Sequence, residues 1–568
     1  MKVEGRALRG IVLLLVFGGI VLPILAGFWQ TARAAFGVMP ALGDRTASLA
    51  PWYTLFALPG FATSLRLTLV TGFGATALAL ILATGFCAAV HGRIGPQAAA
   101  RMLSPYLATP HAAMAIGLSF LIAPSGWVVR LLSPWLTSWR VPPEAITVGD
   151  RWGLALILGL LVKEVPFLLL VILSALGQIP VRRHLAQGRA LGYGRGIVWI
   201  KVIMPQVYPL IRLPIYVVLA FTLSVVDVSI ILGPSNPPTL SVAVLRWFSS
   251  PDVNRMMPAA AAALLQAGIV LAGIALWWAG ERTVIRLGHW WIGRGGRGLS
   301  AEPGLWMASA LVAGLMALGA LALVVLLIWS WAWRWSFPEA LPQSWSARNW
   351  IDPSGSWYRA LAATVEIGLA TTGISLALAV AWLEGEQRVG GGRLRWATGL
   401  IYLPLLVPQI GFLYGLNVVF LEAGLGGSMA AVIWAQTLFV FPYVMITLSD
   451  PWRALDRRLV AAAASLGATP LGRLVRVKLP ILMRPILTTA AVGFAVSVAQ
   501  YLPTLFMGAG RIATLTTEAV TLSSGSDRRI VGVYAILQSA LPFAAYGAAI
   551  LLPSILQHNR RALTGGFS

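Results

Sequence analysis

Cysteine, lysine and charge of either sign are all scarce in this chain. Cys87 is the only cysteine among 568 residues. It allows no intramolecular disulfide and no cysteine-based metal site. The four lysines are Lys2, Lys163, Lys201 and Lys478, and none follows a glycine. A phosphate-cradling loop needs Gly-Lys followed by Ser or Thr, so the chain is not expected to hydrolyse ATP itself. Charged residues make up 11% of the sequence, against about 25% in soluble globular proteins. No polar stretch is long enough to form a soluble domain. These scarcities exclude a soluble enzyme, a secreted disulfide scaffold and a disordered protein. The five histidines form no metal-ligand cluster in sequence. No paired-His motif, Ser-Lys pair or Asp-rich metal motif falls within an apolar run. Neither a catalytic residue nor a metal site is expected.

What the chain has in abundance is apolar surface. Hydrophobic residues make up 58%, and the mean hydropathy is +0.80. About 20 apolar residues span the hydrocarbon core as a helix. Twelve runs meet that need, at about 9–29, 62–90, 102–123, 152–175, 206–232, 259–280, 305–330, 360–383, 396–420, 428–449, 482–507 and 532–556. The fold class expected is an all-α polytopic membrane protein. Ala32-Arg33-Ala34 resembles a signal cleavage site. The run before it is longer than a typical signal core, so the first helix is expected to be retained. The Trp-rich segment 125–139 is too short and interrupted to span and is expected at the interface.

The net charge of +23 would suggest nucleic-acid binding in a soluble protein. In a membrane protein it reflects the bias of Lys and Arg toward cytoplasmic loops. With a cytoplasmic N-terminus, cytoplasmic stretches hold 26 Lys and Arg and external ones 13. Both termini are therefore expected in the cytoplasm, and no nucleic-acid partner is expected.

The chain also repeats itself once. Thr68 to Gly72 returns as Thr364 to Gly368, and Pro110 and Gly117 return as Pro408 and Gly415. Glu164-Val165-Pro166-Phe167 returns as Val440-Phe441-Pro442-Tyr443, an offset of 276. The offset falls between the third and fourth runs, which places about 22 extra residues of the first copy near 124–150. Residues 1–300 and 301–568 thus read as two tandem halves of six helices each. The same starting side makes the repeat parallel, with a pseudo-two-fold axis along the membrane normal.

The strongest repeated feature is a polar loop between the fourth and fifth runs of each half, at about 178–205 and 453–480. The first copy runs from Arg182-Arg183 through Ala186, Gly188 and Gly192 to Pro205. The second runs from Arg457-Arg458 through Ala461, Ala462 and Gly467 to Pro480. In each, paired arginines open a short helix rich in small residues, Leu-Gly ends it with a left-handed cap, and a second short helix leads to the proline. Arg473, Arg476 and Lys478 lie on that second helix in the later copy. Two loops with this spacing read as paired docking knobs.

These loops resemble the EAA loops of ABC importer permeases, whose pattern is Glu-Ala-Ala, three residues, Gly, nine residues, Ile-x-Leu-Pro. The second copy matches with Ala461-Ala462-Ala463, Gly467, Val477 and Leu479-Pro480, and the first more loosely with Ala186-Gln187-Gly188, Gly192, Val202 and Met204-Pro205. Both have alanine in place of the leading glutamate. The likeness covers nearly the whole chain and is similar to fused permeases of the thiamine and ferric-iron group, within them the YnjC-like subfamily. It is carried by Pro110 to Gly117, Ala123 to Trp127, Lys163 to Phe167, Val226-Asp227-Val228, Gly233-Pro234 and Pro237 to Leu240. The resemblance implies a type I importer fold in a bacterial inner membrane. It implies two copies of a cytoplasmic ABC ATPase, which use ATP and Mg²⁺ that this chain does not bind, and a periplasmic substrate-binding protein. It also implies a small cationic cargo such as thiamine, with ferric iron or a polyamine as alternatives.

Ionisable residues inside an apolar run cost about 2.5–3.5 kcal/mol each on insertion scales and mark partners or pathways. Lys163 and Glu164 fall mid-run, Asp227 and Glu366 nearer run ends. With Gln500 they form the candidate substrate pathway. Three acids against one lysine suit a cation. His111 reads as structural and Arg66 as snorkelling. The competing reading is an ion-coupled secondary transporter with no ATPase, in which Lys163, Glu164 and Asp227 relay protons. The duplicated loop argues against it.

Overall fold

The computed structural model describes residues 2–40, 43–93, 95–294, 302–351, 357–389, 395–525 and 527–556. The boundary expected near residue 300 lies outside the described residues. The first copy of the repeat contributes α1 (Arg6–Ala35), α2 (Phe61–Val90), α3 (Pro96–Ala108), α4 (His111–Ile122), α5 (Leu154–Leu176), α6 (Val181–Ala190), α7 (Arg195–Ser224), α8 (Asp227–Leu232), α9 (Leu240–Phe248) and α10 (Met256–Gly293). The second contributes α11 (Glu302–Trp331), α12 (Trp357–Val389), α13 (Ile410–Glu422), α14 (Met429–Ala454), α15 (Arg457–Ser465), α16 (Pro470–Ile481), α17 (Met483–Val498), α18 (Leu502–Gly508), α19 (Leu515–Ser523) and α20 (Arg528–Leu556). Among the described residues the strands are β1 (Ala332–Arg334) and β2 (Ser344–Trp345), one antiparallel hairpin.

Ten helical stretches among the described residues are long and apolar enough to cross a membrane, with α4 counted together with the short helix after it as His111–Leu132, and the bent pair α16–α17 makes an eleventh. The sequence expects twelve. The difference lies in the ninth run, 396–420. Proline lacks the N–H that a helix interior needs, and Pro404 and Pro408 divide this run into Arg395–Ile401, Leu403–Leu406 and α13. At 13 residues, α13 is too short to span alone. Three other expected runs are also interrupted. The third breaks at Thr109-Pro110, the fifth between Ser224 and Asp227, and the eleventh between Val498 and Leu502. The breaks come in equivalent pairs, Pro110 with Pro408 and 225–226 with 499–501, so the repeat extends to the defects in the helices.

Each half lends its first helix to the other. Lipid gives apolar side chains no reason to prefer each other, so close approach through small residues drives helix packing. A Cβ on Gly117 of α4 would overlap the Ala322 backbone oxygen of α11, and one on Gly415 of α13 would overlap the Gly27 backbone oxygen of α1. Thr31 of α1 also accepts a hydrogen bond from Gly415 N at 3.2 Å. Gly117 and Gly415 are repeat partners, so the same crossed contact is made twice. A second repeated bond sits deeper. Leu240 N donates to Thr68 Oγ1, and Leu515 N donates to Thr364 Oγ1, both at 2.9 Å.

The extra residues near 124–150 clasp the second half. Arg130 is buried and donates to the backbone oxygens of Ser125, Trp335, Ser336 and Glu339. Its guanidinium sits 5.0 Å from the Trp335 ring and 5.5 Å from that of Phe337. Trp127 Nε1 donates to Ala340 O at 2.9 Å. This insertion was expected at the membrane interface; Trp135 and Trp139 are exposed, but Trp127 and Arg130 are spent on the β1–β2 hairpin.

Candidate functional site

The two repeated loops share one backbone design. α6 and α15 end in glycines with left-handed φ, +78° at Gly192 and +80° at Gly467. Tyr193 N donates to Gly188 O at 2.9 Å and Ala468 N to Ala463 O at 3.0 Å. This is the six-to-one bond of a Schellman cap, and it satisfies carbonyls that a helix end would leave open. Each second helix then passes through a π turn, Trp199–Ile203 in one loop and Leu474–Lys478 in the other, at an offset of 275.

Arg182, Arg183, Ala186, Arg457, Arg458, Ala461 and Ala462 are all exposed. So are the equivalent leucines at the loop tips, Leu191 at 65% and Leu466 at 87%. Gly188 is the exception. It is buried against Val198, whose methyl a Cβ would overlap, so it packs the loop on itself and offers nothing to a partner. Pro205 is exposed and Pro480 half-buried.

The loops are mounted differently. In the first, Arg195 NH2 donates to His91 O at 2.6 Å and Arg195 Nε to Ala88 O, so a cation caps the last carbonyls of α2. Glu302 at the start of α11 accepts from Arg195 N at 2.9 Å. In the second, the buried Lys478 donates to Glu384 Oε2 at 2.5 Å and Gln387 Oε1 at 2.7 Å, both on α12. Arg388 Nε bonds the other Glu384 oxygen at 2.8 Å and reaches Pro470 O at 3.4 Å. Sequence reasoning passed over Glu384. Its repeat partner is Ala88, and that of Lys478 is Ile203, so opposite charges enter the same joint in one copy only. That pattern was available in the sequence.

The candidate pathway residues separate into three groups. Lys163 Nζ donates to the backbone oxygens of Tyr106 and Thr109, each at 2.5 Å. It thus satisfies carbonyls released where Pro110 breaks the chain between α3 and α4. Glu164 and Asp227 lie together around His111. His111 Nε2 is 3.4 Å from Glu164 Oε1, its ring lies 4.7 Å from Phe221, and Asp227 is nearby. Asp227 is the first residue of α8, in the first turn, where the free N–H groups of a helix favour a carboxylate. Tyr443 lies near Glu164 and Tyr501 near Asp227, both from the second half. Gln500, next to Tyr501, is buried with no hydrogen-bond partner for Oε1 among the described residues. Glu366 stands apart, on the exposed face of α12 with Ala362 and Leu369.

His111, Tyr443 and Tyr501 were missed as pathway candidates. The signal available was the repeat itself: Glu164, Asp227 and His111 align with Val440, Leu502 and Gln409, so this ionisable cluster belongs to one half. Arg66 lies at a separate cleft of about 290 Å³ that it lines with Thr63, Arg151, Trp152 and Pro237.

A family model for binding-protein-dependent transport system inner membrane components matches residues 370–558. Over 533 residues the chain is 34% identical to the inner membrane ABC transporter permease protein YnjC of Escherichia coli K12, a match covering 93% of this chain and 94% of that protein. The chain belongs to the ABC transporter permeases. The permease is also 32% identical over 164 residues to the molybdenum transport system permease protein ModB of Mycobacterium tuberculosis, across 27% of this chain and 62% of that one. To the putrescine transport system permease protein PotI of Escherichia coli K12 it is 28% identical over 185 residues, across 29% of this chain and 65% of that one. The permease is a multi-pass membrane subunit of a transporter rather than an enzyme, fused from two halves that YnjC also spans. Its family works with an ATPase partner and a binding protein. The family model falls on the second half, whose loop fits the EAA pattern better.

Proposed function

We propose that the permease is the membrane subunit of an importer, with its two repeated loops docking two copies of a cytoplasmic ATPase. A periplasmic binding protein would deliver the cargo to the opposite face. The observation that carries this reading is the duplication of the loop tips: one left-handed glycine, one Schellman cap, one π turn and one exposed leucine in each copy. Exposed apolar tips on a rigid backbone are what a partner surface needs, and two equivalent tips suit two equivalent partners. Import follows from the family's dependence on binding proteins. ATP binding would draw the ATPase copies together, carry the loops with them and rock a bistable bundle. Both chain termini would then lie in the cytoplasm.

The cargo proposed is a small organic cation such as thiamine. Support comes from Glu164 and Asp227 lying near Tyr443 and Tyr501, since carboxylates and aromatic faces both attract cations. Of the relatives' cargoes, putrescine shares that charge and molybdenum compounds argue for no such site. Membership of the ABC permeases sets aside the ion-coupled alternative, and an organic cation is preferred to ferric iron because no three His, Cys, Asp or Glu side chains come together to hold a metal ion among the described residues.

The test is co-purification with a co-expressed ATPase. The unaltered permease should capture two copies. Gly192→Val with Gly467→Val should lose them, because a side chain in left-handed backbone costs roughly 1–2 kcal/mol per site and distorts the tip. Purification alone, with solute movement in liposomes lacking ATP, would overturn the reading. Uptake of molybdate without uptake of thiamine or putrescine would overturn the cation assignment.

A further inference from the structure

The two halves place their helix-tying ion pairs at different joints. The first half ties α7 to α10: Arg212 NH2 lies 2.8 Å from Glu281 Oε2, Tyr208 donates to Glu281 Oε1 at 2.8 Å, and Trp277 donates to Tyr208 at 3.0 Å. The equivalents of Arg212, Tyr208, Glu281 and Trp277 in the second half are Leu487, Met483, Pro553 and Ala549, so that joint is apolar there. The second half ties its loop to α12 through the side chains of Glu384, Lys478 and Arg388; at the equivalents of the first two the first half has Ala88 and Ile203, and its loop is held to α2 by Arg195 on backbone oxygens.

The backbone follows the same division. Arg195 to Ser224 runs as one continuous helix through Pro205. Its counterpart is bent by 78° between α16 and α17. Pro485 withdraws a donor from Ile481 at the bend, but Pro209 does the same to Pro205 without bending α7, so proline alone does not decide it. Where the helix is continuous, movement of the loop passes straight into the span. Where it is bent, the loop needs another rigid connection. Glu384 supplies one. It holds a cation from the loop, Lys478, and a cation from α12, Arg388, on its two oxygens. Gln387 extends the tie by donating to Trp452 O at 3.3 Å on α14.

We infer that Glu384 is a positioning residue for coupling: it clamps the second loop to α12, so that ATPase movement at this loop enters the membrane through α12 rather than through α17. Charge-assisted bonds fix distance and direction: in the second half the Glu384 carboxylate makes them, as the Arg195 guanidinium does to the Ala88 and His91 oxygens in the first. Neutralising Glu384 leaves two cations facing each other and releases the loop from α12 while leaving the exposed loop tip unchanged. The inference rests on the docking reading of the loops.

The experiment uses the full permease with its co-expressed ATPase in nanodiscs, with Mg-ATP and vanadate as the probe. Spin labels go on Ala62→Cys and Tyr358→Cys, equivalent positions at the far ends of α2 and α12. Cys87 is buried and leaves the background low. In the unaltered clamp, the nucleotide should shift the distance between the labels. In Glu384→Gln, the ATPase should still be captured, and the shift should fall at least twofold. If Glu384→Gln does not fold, Glu384→Ala with Lys478→Ile replaces it. That pair copies the first half's Ala88 and Ile203, buries no charge at the two positions, and should show the same loss. A full shift in either variant with bound ATPase overturns the inference. No ATPase capture by the unaltered chain removes the docking reading and the inference together, an outcome distinct from capture without transmission.

Discussion

The first loop continues into an unbroken helix held to α10 by Arg212 and Glu281, and the second enters a bent one and is held to α12 by Glu384 and Lys478. The loop tips are nearly identical and their mountings are not. On the docking reading proposed above, a repeat keeps what an identical partner touches and is free to vary how that contact is braced. The mountings also differ in environment. Lys478 and Glu384 are both buried to the same degree, while Arg212 keeps 40% of its side chain exposed. Burial raises the consequence of breaking a pair more than it raises the worth of making one.

The sharpest way to break this comparison is to remove Glu384. Glu384→Ala leaves Lys478 and Arg388 without their shared carboxylate, and an uncompensated buried charge costs about 3–5 kcal/mol. The apparent midpoint of thermal unfolding in detergent should fall further than for any other single change at the two joints. Lys478→Met should cost less, because Glu384 keeps Arg388 at 2.8 Å. Equal losses would mean that the cluster does not share one carboxylate between two cations.

Glu281→Ala comes next. It removes the acceptor of Arg212 and of Tyr208, but the half-exposed Arg212 can turn toward polar surroundings. The fall in midpoint should be smaller than for Glu384→Ala, and labelling of a cysteine introduced at Tyr216 should quicken as α7 loosens from α10. A larger fall than at Glu384 would reverse the order of the two joints.

Much of this was legible in the residues. Gly192 and Gly467 announce the left-handed caps because few other residues tolerate that backbone. Gly117 and Gly415 mark the crossed helix contacts, although a repeat alone does not say which helix fills the groove. The helix breaks were less legible. Apolar composition continues through Pro404, Pro408 and Val225, so a count based on hydropathy merges what the backbone separates. The ion pairs were hidden for a different reason. Glu384 and Lys478 lie 94 residues apart, and no local pattern connects them. Only the comparison of copies does, by showing alanine and isoleucine at the equivalent places.

The smallest expected effect separates the joints by pH. His91 ends α2 beside the first loop, with its ring 6.2 Å from Trp199, and its repeat partner is Gln387 at the second joint. Burial, and then the nearby Arg195 and Arg182 guanidinium groups, hold the His91 imidazole below its ordinary value. As pH falls through the ordinary histidine value of about 6.5, the unfolded chain takes up a proton that the folded chain refuses. Stability is therefore lost from near that value down to the lowered folded one, and no further below it. Gln387 carries no such proton, so this contribution belongs to the first joint alone. His91→Gln installs the second half's residue and should reduce the difference in unfolding midpoint between pH 7.5 and pH 5.5, while Gln387→His should increase it only if the Lys478 cluster depresses the new imidazole in the same way. An unchanged pH slope in His91→Gln would show that the folded joint does not hold the His91 imidazole below its ordinary value.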